Sequence, residues 1–194
     1  LSTLCFSDCP LGTEIKILDN VTEIDDRAYQ DCINATSLKM GKNVEKIGNF
    51  AFAGCINLEG ELIIPKNVTI IGNNAFERTN FTKLTFESVF LTAIGDRAFE
   101  NCQQLTIDKL PDTLTIINNY TFYNCLGLSS EGTLKIPDSI EQIGDYAFYN
   151  WTTITKLDLG LNLTKIGSHS FYECPKINEI TFNELLLIIG DFAF

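Results

Sequence analysis

Along the 194-residue chain one apolar position recurs at a nearly constant distance: Leu1, Ile24, Ile47, Ile71, Ile94, Ile117, Ile143, Ile166 and Ile189. The successive spacings are 23, 23, 24, 23, 23, 26, 23 and 23 residues. Around each of these index residues the same order returns, as in VEKIGNFAFAGC from Val44 to Cys55 and LTAIGDRAFENC from Leu91 to Cys102. Beyond the cysteine position several copies carry an LxxLxL segment whose last two apolar residues are two apart: Phe81, Leu84, Phe86; Ile154, Leu157, Leu159; Ile177, Ile180, Phe182. That period of two predicts a short strand with one buried face.

A repeat of this length decides the architecture. One turn of about 23 residues cannot bury both sides of a short strand, whereas turns stacked at a strand spacing of about 4.8 Å share a continuous core. The expectation is an α/β, β-rich solenoid of short strands plus short helical turns. The small residues Ala28, Ala51, Ala75, Ala98, Thr121, Ala147, Ser170 and Ala193 (with Cys5) mark a crowded inward position. The next residue is aromatic in every copy: Phe6, Tyr29, Phe52, Phe76, Phe99, Phe122, Phe148, Phe171 and Phe194. Eight of the 14 phenylalanines stand there, which predicts a structural aromatic spine. Gly48, Gly72, Gly95, Gly144, Gly167 and Gly190 follow the index residue, with Asp25 and Asn118 as replacements. These residue types predict a positive φ at that position. Pro65, Pro111 and Pro137 are expected to end strands, and the extra residues near Gly60 and between Leu128 and Thr133 to form insertions that leave the ladder intact.

The combined pattern, LxxLxL followed by IGxxAFxxC over essentially the whole chain, resembles the BspA-like leucine-rich repeat family. Thr79 and Trp151 depart from it at the cysteine position, and Asp108 departs within the strand. The resemblance implies a leucine-rich repeat solenoid. It also implies kinship with surface proteins of mucosal bacteria and parasitic protists, whose members are implicated in adhesion to host proteins and cells. Residues 1–194 are expected to form a single array, cut inside a repeat unit at Leu1 and at Phe194.

Composition narrows the partners. Fourteen basic against 25 acidic side chains give a formal charge of −11. Such a surface repels a phosphate backbone and an acidic membrane. The apolar run Leu185–Ile189 is far shorter than the roughly 20 residues of a membrane helix. No cofactor motif, metal-ligand spacing or catalytic constellation is evident: HExxH and GxxxxGK are absent, and His169, the single histidine, occupies a variable repeat position. The expectation is therefore a non-enzymatic chain without cofactors.

Seven cysteines are present, and Cys9, Cys32, Cys55, Cys102, Cys125 and Cys174 share one repeat position. Two readings stand: reduced core thiols, or a disulfide ladder. The first is favoured because parallel inward side chains hold Cβ atoms near rung spacing, not at the roughly 3.8 Å that a disulfide needs. Trp151 either packs over a widened turn or points outward as an interface anchor.

The residue between the two apolar strand positions faces away from the core. Lys16, Lys39, Ile63, Thr85, Lys109, Lys135, Asp158 and Thr181 form this candidate binding surface. Four lysines suggest a basic column for an acidic protein or a sulfated glycan, although lysine also serves simply as a solvent-facing strand residue. Sequons begin at Asn20, Asn34, Asn67, Asn80, Asn150 and Asn162, and a doubtful one at Asn119, because Thr121 should point inward. Together these features favour a cell-surface or secreted module that binds host or other proteins. An intracellular leucine-rich repeat scaffold is the alternative.

Overall fold

The computed structural model describes residues 14–194, so Leu1, Cys5, Phe6 and Cys9 lie outside the described residues. Sixteen short strands follow one another: β1 (Glu14–Lys16), β2 (Glu23–Ile24), β3 (Ser37–Lys39), β4 (Lys46–Ile47), β5 (Glu61–Ile64), β6 (Ile70–Ile71), β7 (Lys83–Phe86) and β8 (Ala93–Ile94). The second half repeats the scheme with β9 (Thr106–Ile107), β10 (Ile116–Ile117), β11 (Gly132–Lys135), β12 (Gln142–Ile143), β13 (Ile154–Asp158), β14 (Lys165–Ile166), β15 (Glu179–Thr181) and β16 (Ile188–Ile189). Odd-numbered strands are the LxL segments; even-numbered strands carry the index isoleucine.

All pairing is parallel. The even strands form two ladders, β2-β4-β6-β8 and β10-β12-β14-β16, in which Ile24, Ile47, Ile71 and Ile94 are in register, as are Ile117, Ile143, Ile166 and Ile189. The odd strands form three: β1-β3, β5-β7-β9 and β11-β13-β15. Both insertions therefore interrupt the LxL ladder, contrary to expectation, while the index ladder runs past them. The inserted residues lie on the LxL side, immediately before β5 and β11, so only that side loses its pairing. Just before the second one Ile107 donates its amide to Gly127 O at 2.8 Å, and β9 does not pair with β11.

Among the described residues there is no helix, so the expected short helical turns are absent. The small-residue and aromatic segment is instead a run of tight turns in which every fourth residue has a left-handed backbone. Arg27, Phe50, Asn74, Arg97, Tyr120, Tyr146, His169 and Phe192, three after each index, have φ between 52° and 60°. Asp31, Gly54, Arg78, Asn101, Asn124, Asn150 and Glu173, four further on, are also left-handed. This alternation rules out helix and aims the amides along the array: Phe50 N donates to Asn73 O, Phe52 N to Ala75 O and Gly54 N to Glu77 O, at 2.7–2.8 Å. A left-handed non-glycine residue costs about 1–2 kcal/mol, and these inter-turn bonds offset it.

The index glycines have a different reason from the one expected. They are not among the positive-φ residues. A Cβ on Gly48 would lie 2.5 Å from Asp26 N, and one on Gly95 2.5 Å from Asn73 N, so the backbones of adjacent turns leave no room for it. Each such glycine donates its amide to the isoleucine carbonyl one turn back at 2.8 Å, as Gly95 does to Ile71 O. Asn118 breaks this rule: its side-chain Nδ2 bonds Ile94 O at 2.6 Å, and here the index ladder parts between β8 and β10.

The core is a single continuous cluster running the length of the array. The spine rings stack at 5.2–5.7 Å, from Tyr29 on Phe52 to Phe171 on Phe194. Burial comes from the neighbouring turn: Ile166 is fully buried beneath the turn of Ile189, whereas Ile189, with no described turn beyond it, is 51% exposed. Beside the index ladder runs a column of Asx side chains. Asn49 N donates to Asp26 Oδ1, Asn73 N to Asn49 Oδ1, Asp96 N to Asn73 Oδ1, Asn119 N to Asp96 Oδ1 and Asp145 N to Asn119 Oδ1, at 2.7–3.0 Å.

Candidate functional site

The LxL face carries mixed charge. Lys16 and Lys39 sit side by side in register, Ile63 pairs with Thr85, and Lys135 faces Asp158, which faces Thr181. Lys109 does not belong to this column. Register places Ile107 opposite Leu84, so Asp108 follows opposite Thr85, and β9 ends at Ile107. The physical reason is a slip of one residue: buried Leu105 and Ile107 are two apart, and the next buried residue, Leu110, comes three later. Asp108 accepts from Ser129 Oγ at 2.6 Å, while Lys109 pairs with Asp112 at 2.7 Å. Lysines on this face also alternate with acids, as in Lys83–Glu61 at 3.1 Å and Lys156–Glu179 at 2.6 Å.

Clefts open on this face where the ladder fails. Beyond the slip, Thr85 and Phe86 part from Asp108, Lys109 and Asp112, leaving a cleft of about 520 Å³. A smaller one of about 310 Å³ lies between the unpaired β3 and β5, with Lys39, Met40 and Ile63 in its wall.

Cysteines 32, 55, 102, 125 and 174 are free thiols. They pack inward and cap carbonyls of the preceding turn: Cys55 Sγ donates to Tyr29 O at 2.9 Å, Cys102 to Phe76 O at 3.1 Å and Cys125 to Phe99 O at 3.2 Å. Burial pushes the Cys102 thiol up to about 11 and Cys174 up to about 12, and raises Cys125 well above the usual range. Cys55 is raised first by its hydrogen bond with Cys32 and then by burial. Groups that hold their protons this firmly are poor nucleophiles and poor metal ligands. Trp151 packs inward too. It is fully buried, edge-on to Phe148 at 4.8 Å, in the turn lengthened by the second insertion.

The opposite, turn-bearing side carries a feature that sequence reasoning missed. The left-handed position and the one three beyond it both face outward, and from Tyr120 onward both are aromatic. Tyr120 stacks on Tyr146 at 4.8 Å, Tyr146 on His169 at 4.6 Å, and Tyr123 on Tyr149 at 4.6 Å. The signal lies in the repeat: the variable position of His169 is Tyr120, Tyr146 and Phe192 in the neighbouring copies. Tyr123, Tyr149 and Tyr172, three residues on in each turn, complete the pattern.

Asn20, Asn34, Asn80 and Asn162 are exposed; Asn67 and Asn150 are half-buried. Asn162 Nδ2 donates to Asp138 O at 2.8 Å, and Asn150 Nδ2 to Asn124 Oδ1 at 2.7 Å. Asn119 belongs to the Asx column, and Thr121 is fully buried with its hydroxyl on Asn118 O at 2.9 Å. Among the described residues, no helix is long and apolar enough to cross a membrane.

A parallel solenoid with an LxL ladder, an isoleucine ladder and a stacked aromatic spine is a leucine-rich repeat array. The BspA type leucine rich repeat region matches residues 1–129 and 129–194 in 6 copies, and the chain belongs to that family. Among solved structures it is similar to a leucine-rich repeat protein from Bacteroides ovatus, at 23% identity and a TM-score of 0.58, covering 100% of this chain and 67% of that one. It is similar also to the T. pallidum leucine rich repeat protein, at 19% identity and a TM-score of 0.61, covering 92% and 73%. A leucine rich cell surface protein from Faecalibacterium prausnitzii matches at 20% identity and a TM-score of 0.58, covering 91% and 61%. At these identities the likeness is one of fold. Among curated proteins none matches.

Proposed function

We propose that the chain is a non-enzymatic, protein-binding array of a cell-surface or secreted protein that adheres to host or other proteins. The observation that carries this reading is the division of labour within each turn. Inward positions are repeated and closed by packing, whereas outward positions vary and, from Tyr120 onward, build a contiguous field of half-buried, stacked tyrosine rings. Tyrosine is enriched in protein interfaces because it combines apolar area, a hydrogen-bonding hydroxyl and few rotors. Kinship in fold with a protein described as a cell surface protein supports the location. Glycosylation at Asn20, Asn34, Asn67, Asn80, Asn150 and Asn162 belongs to the same proposal for a eukaryotic secretory source.

A second contact zone is favoured by the register that seats Lys16 beside Lys39, a local site for an acidic protein or a sulfated glycan.

The test is antibody labelling of intact and permeabilised source cells, together with binding of the soluble chain to immobilised extracellular proteins. Labelling of intact cells and saturable capture of one or more proteins are expected. Labelling only after permeabilisation would replace this reading with the intracellular scaffold.

A further inference from the structure

The outward field on the turn side changes character midway along the chain. In three of the four earlier turns its two positions satisfy one another; the exception carries Phe50 and the buried Ala53. Arg27 donates to Gln30 Oε1 at 3.3 Å, Asn74 to Glu77 Oε2 at 2.8 Å and Arg97 to Glu100 Oε2 at 2.8 Å. From Tyr120 onward the same positions are aromatic and stack across turns. The two columns also touch, Tyr120 with Tyr123 at 5.6 Å and His169 with Tyr172 at 5.4 Å, so each ring is held on two sides. Such rings are ordered before a partner arrives, and docking costs little further side-chain entropy.

Stacked rings cover each other's faces, and the half-buried tyrosines leave their edges as the accessible part. That geometry disfavours a glycan, whose sugars lie on open ring faces. The surroundings are acidic. Glu100 and Glu173 lie close enough to help hold the protons on Tyr123 and Tyr149, after burial as the main cause. A second copy of this chain would bring the same acids and the same charge of −11, and is repelled.

The chain already shows what suits the array. The Arg97 guanidinium lies 4.0 Å from the Tyr120 ring centroid while it is bonded to Glu100. An arginine held between a tyrosine ring and a carboxylate thus closes one end of the field.

We propose that the stacked array centred on Tyr146 and Tyr149 docks a basic, arginine-bearing segment of a protein partner. Arginine stems lie along the ring edges, their guanidinium groups donate to tyrosine hydroxyl oxygens and to Glu173, and the net charge of the solenoid steers the encounter. The inference rests on the protein-binding reading above and adds the surface and the chemistry of the partner.

The test uses the whole chain with two labelled synthetic peptides, (Arg-Ser)6 and (Glu-Ser)6, and fluorescence anisotropy. The arginine peptide binds saturably and the glutamate peptide does not. Tyr146→Ser with Tyr149→Ser weakens binding about tenfold, as expected for the loss of two interface tyrosines. Tyr146→Phe with Tyr149→Phe keeps the stacking, guards against misfolding and still weakens binding severalfold. Glu45→Gln with Glu141→Gln, exposed acids on the index-ladder side, leaves it unchanged. Absence of binding to the arginine peptide overturns the inference, and so does equal weakening by the tyrosine and the Glu45/Glu141 variants, which would reduce the effect to diffuse charge. Capture of an extracellular protein that is indifferent to the tyrosine variants sinks this surface while leaving the protein-binding reading standing.

Discussion

The indole Nε1 of Trp151 donates to the carbonyl oxygen of Phe122 at 2.9 Å. Phe122 is the spine residue of the preceding turn, and Cys102, Cys125 and Cys174 donate through sulfur to the equivalent carbonyls of Phe76, Phe99 and Phe148. Tryptophan therefore does the work of the cysteine it replaces: one donor, aimed one turn back, from a buried site. Its extra volume is taken up by the longer turn, where Gly127, at φ +115°, lies against the ring and a Cβ would come within 3.3 Å of it.

That equivalence separates the donor from the volume. Trp151→Phe keeps an aromatic ring and loses the N–H. Phe122 O still accepts from Cys125 N at 3.3 Å, so the cost is about 1 kcal/mol. Trp151→Ala opens a cavity and costs about 3–5 kcal/mol. Trp151→Cys keeps a donor but not the volume, and falls between. Urea unfolding midpoints in the order wild type, Phe, Cys, Ala would bear this out; Cys below Ala would refute it.

Glycine substitution distinguishes close approach from backbone sign. Gly95→Ala places a methyl 2.5 Å from Asn73 N, so two turns must part and the 2.8 Å bond to Ile71 O is strained, at about 2–3 kcal/mol. Gly60→Ala meets nothing within 4 Å but keeps φ at +83°, at about 1 kcal/mol. Thermal melting is expected to fall further for Gly95→Ala than for Gly60→Ala.

The buried thiols make stability depend on pH at the alkaline end. A free thiol ionises near pH 9, whereas burial holds Cys102 protonated to about 11 and Cys174 to about 12. The folded form binds these protons more tightly, so their contribution is complete below pH 9 and is lost as pH rises through 11 to 12. The urea midpoint is expected to decline over that window, less steeply in Cys102→Ala. At pH 8 a thiol reagent reacts slowly with the folded chain, and with half-buried Cys174 before fully buried Cys102.

Much of this design was legible because identical positions recur. The period, the aromatic spine, the small inward residues and the cysteine position each follow from the burial that stacking imposes on every turn. The first left-handed site of each turn was not legible, whereas the second, four residues on, is mostly Gly, Asn or Asp and was readable from residue type. That first site carries Arg27, Phe50, Tyr120 and Tyr146, side chains that announce no positive φ, because inter-turn hydrogen bonds and not residue preference hold them there. Glycine pointed to the wrong cause, since backbone crowding and positive φ select the same residue. The slip at Asp108 was hidden because Lys109 also fits an outward position when a strand is counted without its partner. The tyrosine array was hidden because outward positions carry no burial pattern, and only the stacking of turns brings Tyr120, Tyr146 and His169 together.

The Asx column makes the last prediction, since each backbone amide in it is received by a side-chain oxygen that Asn and Asp share. Asn73 Oδ1 accepts the Asp96 amide at 2.9 Å, and the Asn73 amide is received by Asn49 Oδ1 at 2.8 Å. Asn73→Ala removes the acceptor and orphans the Asp96 amide, a loss of about 1 kcal/mol. Asn73→Asp retains an oxygen in the same place, as Asp26 and Asp145 already do for Asn49 and Ser168. Its remaining penalty is repulsion from Asp96 on the adjacent turn, an exchange of charge that salt screens. Raising ionic strength from 0.05 to about 0.5 M is therefore expected to bring the Asn73→Asp unfolding midpoint towards wild type and to leave the Asn73→Ala deficit in place. Equal salt responses in the two variants would mean that the column is held by something other than this acceptor.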